Sequence, residues 1–70
     1  MDAQSLREQA YAVLSTHSLT ADEVAERLGV HLLSIRPRVT ELYKADRIHK
    51  TGERRPNRVS GVMASVWRAL

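Results

Sequence analysis

Seventy residues, 43% of them apolar, supply one small core and leave no room for a separate catalytic domain. The absence of cysteine excludes disulfide staples and thiolate metal ligands, and fits a reducing, cytoplasmic setting. No apolar run approaches the roughly 20 residues that cross a bilayer. Asp2, Arg7 and Glu8 interrupt the start of the chain, so neither a membrane partner nor a signal peptide is expected. The formal charge of +3 is unevenly spread. Residues 1–30 set Asp2, Glu8, Asp22, Glu23 and Glu26 against Arg7 and Arg27. Residues 31–70 set nine cations against Glu41, Asp46 and Glu53. A positive field confined to one half suits a polyanionic partner.

In chain order, Leu6, Ala10, Val13 and Leu14 recur on one helix face and predict a first helix over about 3–15. Asp2 or Ser5 can cap it, Ser5 and Glu8 having capping-box spacing. Thr20 and Glu23 form a second such box. With Val24, Ala25 and Leu28 as the apolar face and Gly29 as the stop, they predict a helix over 21–28. Ile35, Val39 and Leu42 predict a third helix, about 34–45. Pro37 in its interior would delete a hydrogen bond, so Ser34 is taken as the cap, with Pro37 in the first turn and Gly29–Leu33 as the connecting turn. Asp46 ends the helix, since Asp tolerates left-handed backbone. Residues 48–53 and 62–69 then suit two antiparallel strands of a wing spanning about 48–69. Its turn-prone basic tip runs from Arg54 to Gly61. The order is three helices and a hairpin, an α+β arrangement in a single domain, 1–70.

The stretch Leu19-Thr20-Ala21-Asp22-Glu23-Val24-Ala25-Glu26-Arg27-Leu28-Gly29-Val30 resembles the helix-turn-helix of winged-helix regulators. Ala25 stands where that family has a small residue at the helix crossing, and Gly29 where it turns. Ile35, Val39, Leu42, Lys44, Ala45 and Ile48 look like the recognition helix and first wing strand of MarR-type repressors. The likeness covers about residues 5–70 and implies a winged helix-turn-helix that binds DNA. Two positions depart from the pattern: Arg38 replaces a common leucine, and Asp46 a helix-ending glycine. The extra helices with which MarR-type proteins dimerise have no counterpart. The chain is similar to compact single modules of phage and prophage regulators, which implies a role in transcription regulation.

A helical wheel with Ile35, Val39 and Leu42 inward leaves Pro37, Thr40, Glu41 and Lys44 outward, with Arg36 and Arg38 on opposite flanks. In helix-turn-helix proteins this face and the helix start enter the major groove. Arg36 is the expected base reader, Thr40 a second base contact, and Ser34 a phosphate contact at the helix start. Arg38 faces phosphate or reaches solvent. Lys50, Arg54, Arg55, Asn57 and Arg58 on and around the wing tip are expected to follow the backbone or enter the minor groove. The expected partner is double-stranded DNA, bound as a homodimer or with a partner protein, because one small module offers few base contacts.

Tyr11, Tyr43 and Trp67 read as packing residues. His17, His31 and His49 lack metal-ligand spacing, and no nucleophile or paired-carboxylate motif is present. Neither enzymatic activity nor a cofactor or metal is expected. A protein-interaction winged helix is the rival reading. A third is recognition of left-handed duplexes, which the end Val66-Trp67-Arg68 resembles, but Arg36 and Thr40 stand where that family uses Asn and Tyr.

Overall fold

Each helix begins on a side chain that accepts an otherwise unpaired backbone amide, and these caps set the three starts. The computed structural model describes residues 2–58 and 60–70. Helix α1 (Ala3–Thr16) is capped by Asp2, whose carboxylate accepts from the Ser5 amide at 2.7 Å, and it buries Leu6, Ala10 and Leu14. Helix α2 (Ala21–Leu28) carries the expected box: the Thr20 hydroxyl accepts from the Glu23 amide at 3.2 Å, and the Glu23 carboxylate accepts from the Thr20 amide at 2.8 Å. Asp22 and Glu23 in its first turn suit the positive end of the helix dipole. Gly29 ends it at φ 69°, in the left-handed region that an L side chain enters at a cost.

Helix α3 (Leu32–Lys44) starts two residues before the expected position. Its cap is His31, whose Nδ1 accepts from the Leu33 amide at 3.0 Å, and not Ser34. Ser34 lies in the first turn, its amide donating to the His31 carbonyl at 2.9 Å. The connecting turn therefore shrinks to Gly29–His31, and Pro37 falls inside the helix. A proline there leaves the Leu33 carbonyl without its helical donor. Leu33 is 69% exposed, so water can take that place. The helix closes on Ala45, one residue before Asp46, which adopts φ 58°.

Strands β1 (Ile48–Pro56) and β2 (Met63–Ala69) pair antiparallel, completing an α+β winged-helix topology. The ladder outlasts expectation: Arg54 pairs with Ser65 and Arg55 with Ala64, so both arginines belong to the strand and not to the tip. Val59, within the expected tip, lies outside the described residues. Between Lys50↔Trp67 and Arg54↔Ser65 the first strand carries two extra residues, a bulge in which Gly52 takes φ 93°. Because the excess is even, Lys50 and Arg54 keep the same face.

A further rung was not expected. Leu19 and Trp67 exchange backbone hydrogen bonds of 3.0 and 2.8 Å, adding the joint between α1 and α2 to the edge of the sheet. The core lies among the helices and the base of the hairpin. It comprises Leu6, Ala10, Leu14, Val24, Ala25, Ile35, Val39, Leu42 and Ile48, with Tyr11, Leu19, Trp67 and Ala69 packed around it. Ala25 is a buried member of this core on α2, and α2 packs against α3.

Candidate nucleic-acid interface

The cations divide into those neutralised by a carboxylate of another element or turn and those that are not. Arg7 of α1 and Arg38 of α3 both grip Glu41, at 2.9 and 2.8 Å. Arg38 is only 19% exposed, so it neither reaches solvent freely nor offers itself to phosphate. Glu41, expected to point outward, is turned toward α1. The Arg7 guanidinium, with Arg38 beside it, holds its carboxyl below the usual glutamate range. Arg47 chelates Glu8 at 2.7 and 3.3 Å and lies 4.0 Å from the centre of the Tyr11 ring. Its hydrogen bond likewise lowers the Glu8 pKa. These pairs lock α1 to α3 and to the start of the hairpin.

The wing is tied in the same way to α2. Arg55 donates to Glu23 at 2.6 Å, to the Ser18 carbonyl at 3.0 Å and to Glu53 at 2.9 Å. The Glu53 hydrogen bond raises its already high pKa, so it is cationic at any working pH. Arg58 pairs with Glu26. The segment Pro56–Arg58 faces Thr20, Asp22, Glu23, Ala25, Glu26, Val30 and Leu32 across a groove of about 550 Å³. The wing tip thus leans over α2 and the α2–α3 turn. Arg55, Asn57 and Arg58 are directed there, and not along the outer face of α3. The Asn57 amide and carbonyl close the tip, bonding the Val62 carbonyl and the Gly61 amide at 2.8 Å each.

Arg36, Lys44, Lys50 and Arg54 have no acidic partner among the described residues, and all four are exposed. Helical geometry and one aromatic contact place them along one strip. Tyr43 follows Arg36 by seven residues, which is about two turns and returns it to nearly the same azimuth. The Tyr43 ring meets Trp67 edge-on at 5.0 Å, so this flank of α3 faces the sheet. The Lys50 ammonium lies 5.7 Å from the centre of each ring, bridging helix to hairpin. Arg54, on the same sheet face, shares a groove of about 350 Å³ with Lys50, Gly52, Ser65 and Glu53, the last with its carboxylate bonded to Arg55. Lys44 and Pro37 occupy the outward face between. The Thr40 hydroxyl donates to the Arg36 carbonyl at 3.1 Å, leaving its methyl and an acceptor lone pair free.

Arg27 and Arg68 also lack acidic partners among the described residues, but they stand elsewhere. Arg27 ends α2, and Arg68 reaches Ser18 at 3.3 Å from the opposite face of the hairpin. No family model matches this chain, and no curated protein is significantly similar to it. The strip therefore stands on its geometry.

One participant was missed by the sequence reading. Tyr43 packs edge-on against Trp67 as expected, and at 45% exposure it is also the element through which Lys50 meets α3. Its seven-residue spacing from Arg36 was the available signal. The cation–π contact holds the Lys50 ammonium over the rings and limits the side-chain freedom that binding would otherwise have to remove.

Proposed function

We propose that this protein binds double-stranded DNA along the strip formed by α3 and the adjoining face of the hairpin. The observation that carries the reading is the sorting of the cations. Arg7, Arg38, Arg47, Arg55 and Arg58 are neutralised by carboxylates, whereas of the six cations left without one among the described residues, four, Arg36, Lys44, Lys50 and Arg54, share one side and only Arg27 and Arg68 stand elsewhere. In this arrangement α3 enters the major groove. Arg36 reads a guanine edge in bidentate fashion, and Thr40 offers its methyl to thymine. Lys44, Lys50 and Arg54 contact the flanking phosphates and set the register, carrying no sequence information themselves. A module of this size makes few base contacts, so it acts as a small sequence-specific regulator only as a dimer or beside a partner protein.

The test is binding to a fluorescent duplex of mixed sequence, followed by selection from random duplexes. Arg36→Ala should blunt the selected consensus, and Lys50→Ala should weaken all sequences alike. Arg38→Ala should leave binding intact. A well-folded protein that ignores duplex DNA in dilute buffer sinks the proposal.

A further inference from the structure

The basic wing and acidic α2 meet as two parallel ion pairs. Glu23 and Glu26 lie one turn apart on the helix, and Arg55 and Arg58 lie three residues apart on the wing. The two pairs differ in kind. Arg55 is about two-thirds covered and satisfied at several points. Its partner Glu23 uses the same oxygen, Oε1, to accept from the Thr20 amide, so releasing Arg55 would disturb the start of α2 as well. Among the described residues Arg58 is bonded to Glu26, and its side chain is 78% exposed. An exposed pair of this sort is weak, readily exchanged and screened by salt.

We propose that Glu26 is an internal stand-in for a DNA phosphate, holding Arg58 against α2 until a duplex displaces it. The inference rests on the DNA-binding reading. It adds that the wing carries a competitor for its own ligand and that only one of its two anchors yields. Arg55 stays fixed and orients the wing. Arg58 exchanges a carboxylate for a phosphate oxygen, and the affinity for DNA is lower by whatever the broken pair was worth. The sequence separation of 32 residues between Arg58 and Glu26 means the competition exists only in the folded chain.

The experiment is a double-mutant cycle on duplex affinity, Glu26→Gln and Arg58→Ala singly and together, with Asp22→Asn as the control for simply deleting a nearby negative charge. Glu26→Gln should tighten binding about two- to fivefold in the presence of Arg58, the fold-change an exposed pair can supply. It should do no more than Asp22→Asn when Arg58 is absent. Equal tightening in both backgrounds would overturn the inference, since Glu26 would then act only as a bulk charge. The NMR signal of the Arg58 guanidinium in the DNA-free protein separates this failure from failure of the DNA-binding reading. A signal unmoved by Glu26→Gln overturns the clamp whatever DNA does. A signal that moves, in a protein that binds no duplex, leaves the ion pair standing and removes both the DNA-binding reading and the competition built on it.

Discussion

The salt dependence of duplex binding follows from the cations that are free to meet phosphate. Each neutralised phosphate releases condensed counterions and contributes about −0.9 to the slope of log affinity against log salt. With Arg36 on a base edge, Lys44, Lys50 and Arg54 give a slope of about −2.7, and Arg58, once displaced from Glu26, takes it to about −3.6. Between about 50 and 200 mM salt this corresponds to a loss of affinity of roughly 40- to 150-fold. Fluorescence anisotropy with a labelled duplex over several salt concentrations measures it directly. Lys50→Ala should flatten the slope by about 0.9, and Arg58→Ala should do the same from the steeper value. Arg7→Ala and Arg38→Ala should leave it unchanged, because both guanidinia are committed to Glu41. A wild-type slope shallower than about −2 would refute the assignment of the strip. So would a flattening by Arg38→Ala as large as that by Lys50→Ala.

Two further outcomes concern stability. Pro37→Ala restores a helical donor to the Leu33 carbonyl and removes a clash. Set against an interior-proline cost of about 3 kcal/mol, the looser unfolded chain returns about 1, so urea unfolding should register a gain of about 2 kcal/mol. Glu8 and Glu41 have folded-state pKa values below the ordinary glutamate value, through the hydrogen bonds of Arg47 and Arg7. The stability they add is thus complete above about pH 4.3, the unfolded value, and is lost as pH falls through the lowered folded values. Thermal melts of wild type and Glu41→Gln should converge on acidification, the wild type falling more steeply; parallel curves would contradict this.

What was legible in the sequence is what depends on near neighbours. Helix α2 was read to the residue because its capping box and Gly29 are both local devices. The buried faces of α1 and α3 followed from helical periodicity. The start of α3 is not legible in the same way, because Pro37 favours a first-turn position and Ser34 is the ordinary capping residue at the matching distance. The fold instead uses a histidine nitrogen as the cap and tolerates the proline inside, with the stranded carbonyl left beside the exposed Leu33. The Leu19–Trp67 rung gives no sequence signal, since one residue pair 48 positions apart has no period.

The candidate site was half legible for the same reason. Counting charges identified a basic half of the molecule, but only the folded chain pairs Arg38 with Glu41, Arg55 with Glu23 and Arg58 with Glu26. Placing Arg54 and Arg55 in a loop hid the consequence of strand alternation. As adjacent strand residues, they face opposite sides, and one is left available while the other is consumed.

The rung between Leu19 and Trp67 has a consequence for how the molecule comes into being. The residue that completes the sheet edge is made 48 positions after its partner, which sits between the first two helices. During synthesis the helices can form early, but the joint between them waits for Trp67 to emerge. Any shortened product ending before it should remain a loose collection of helices, open to proteolysis.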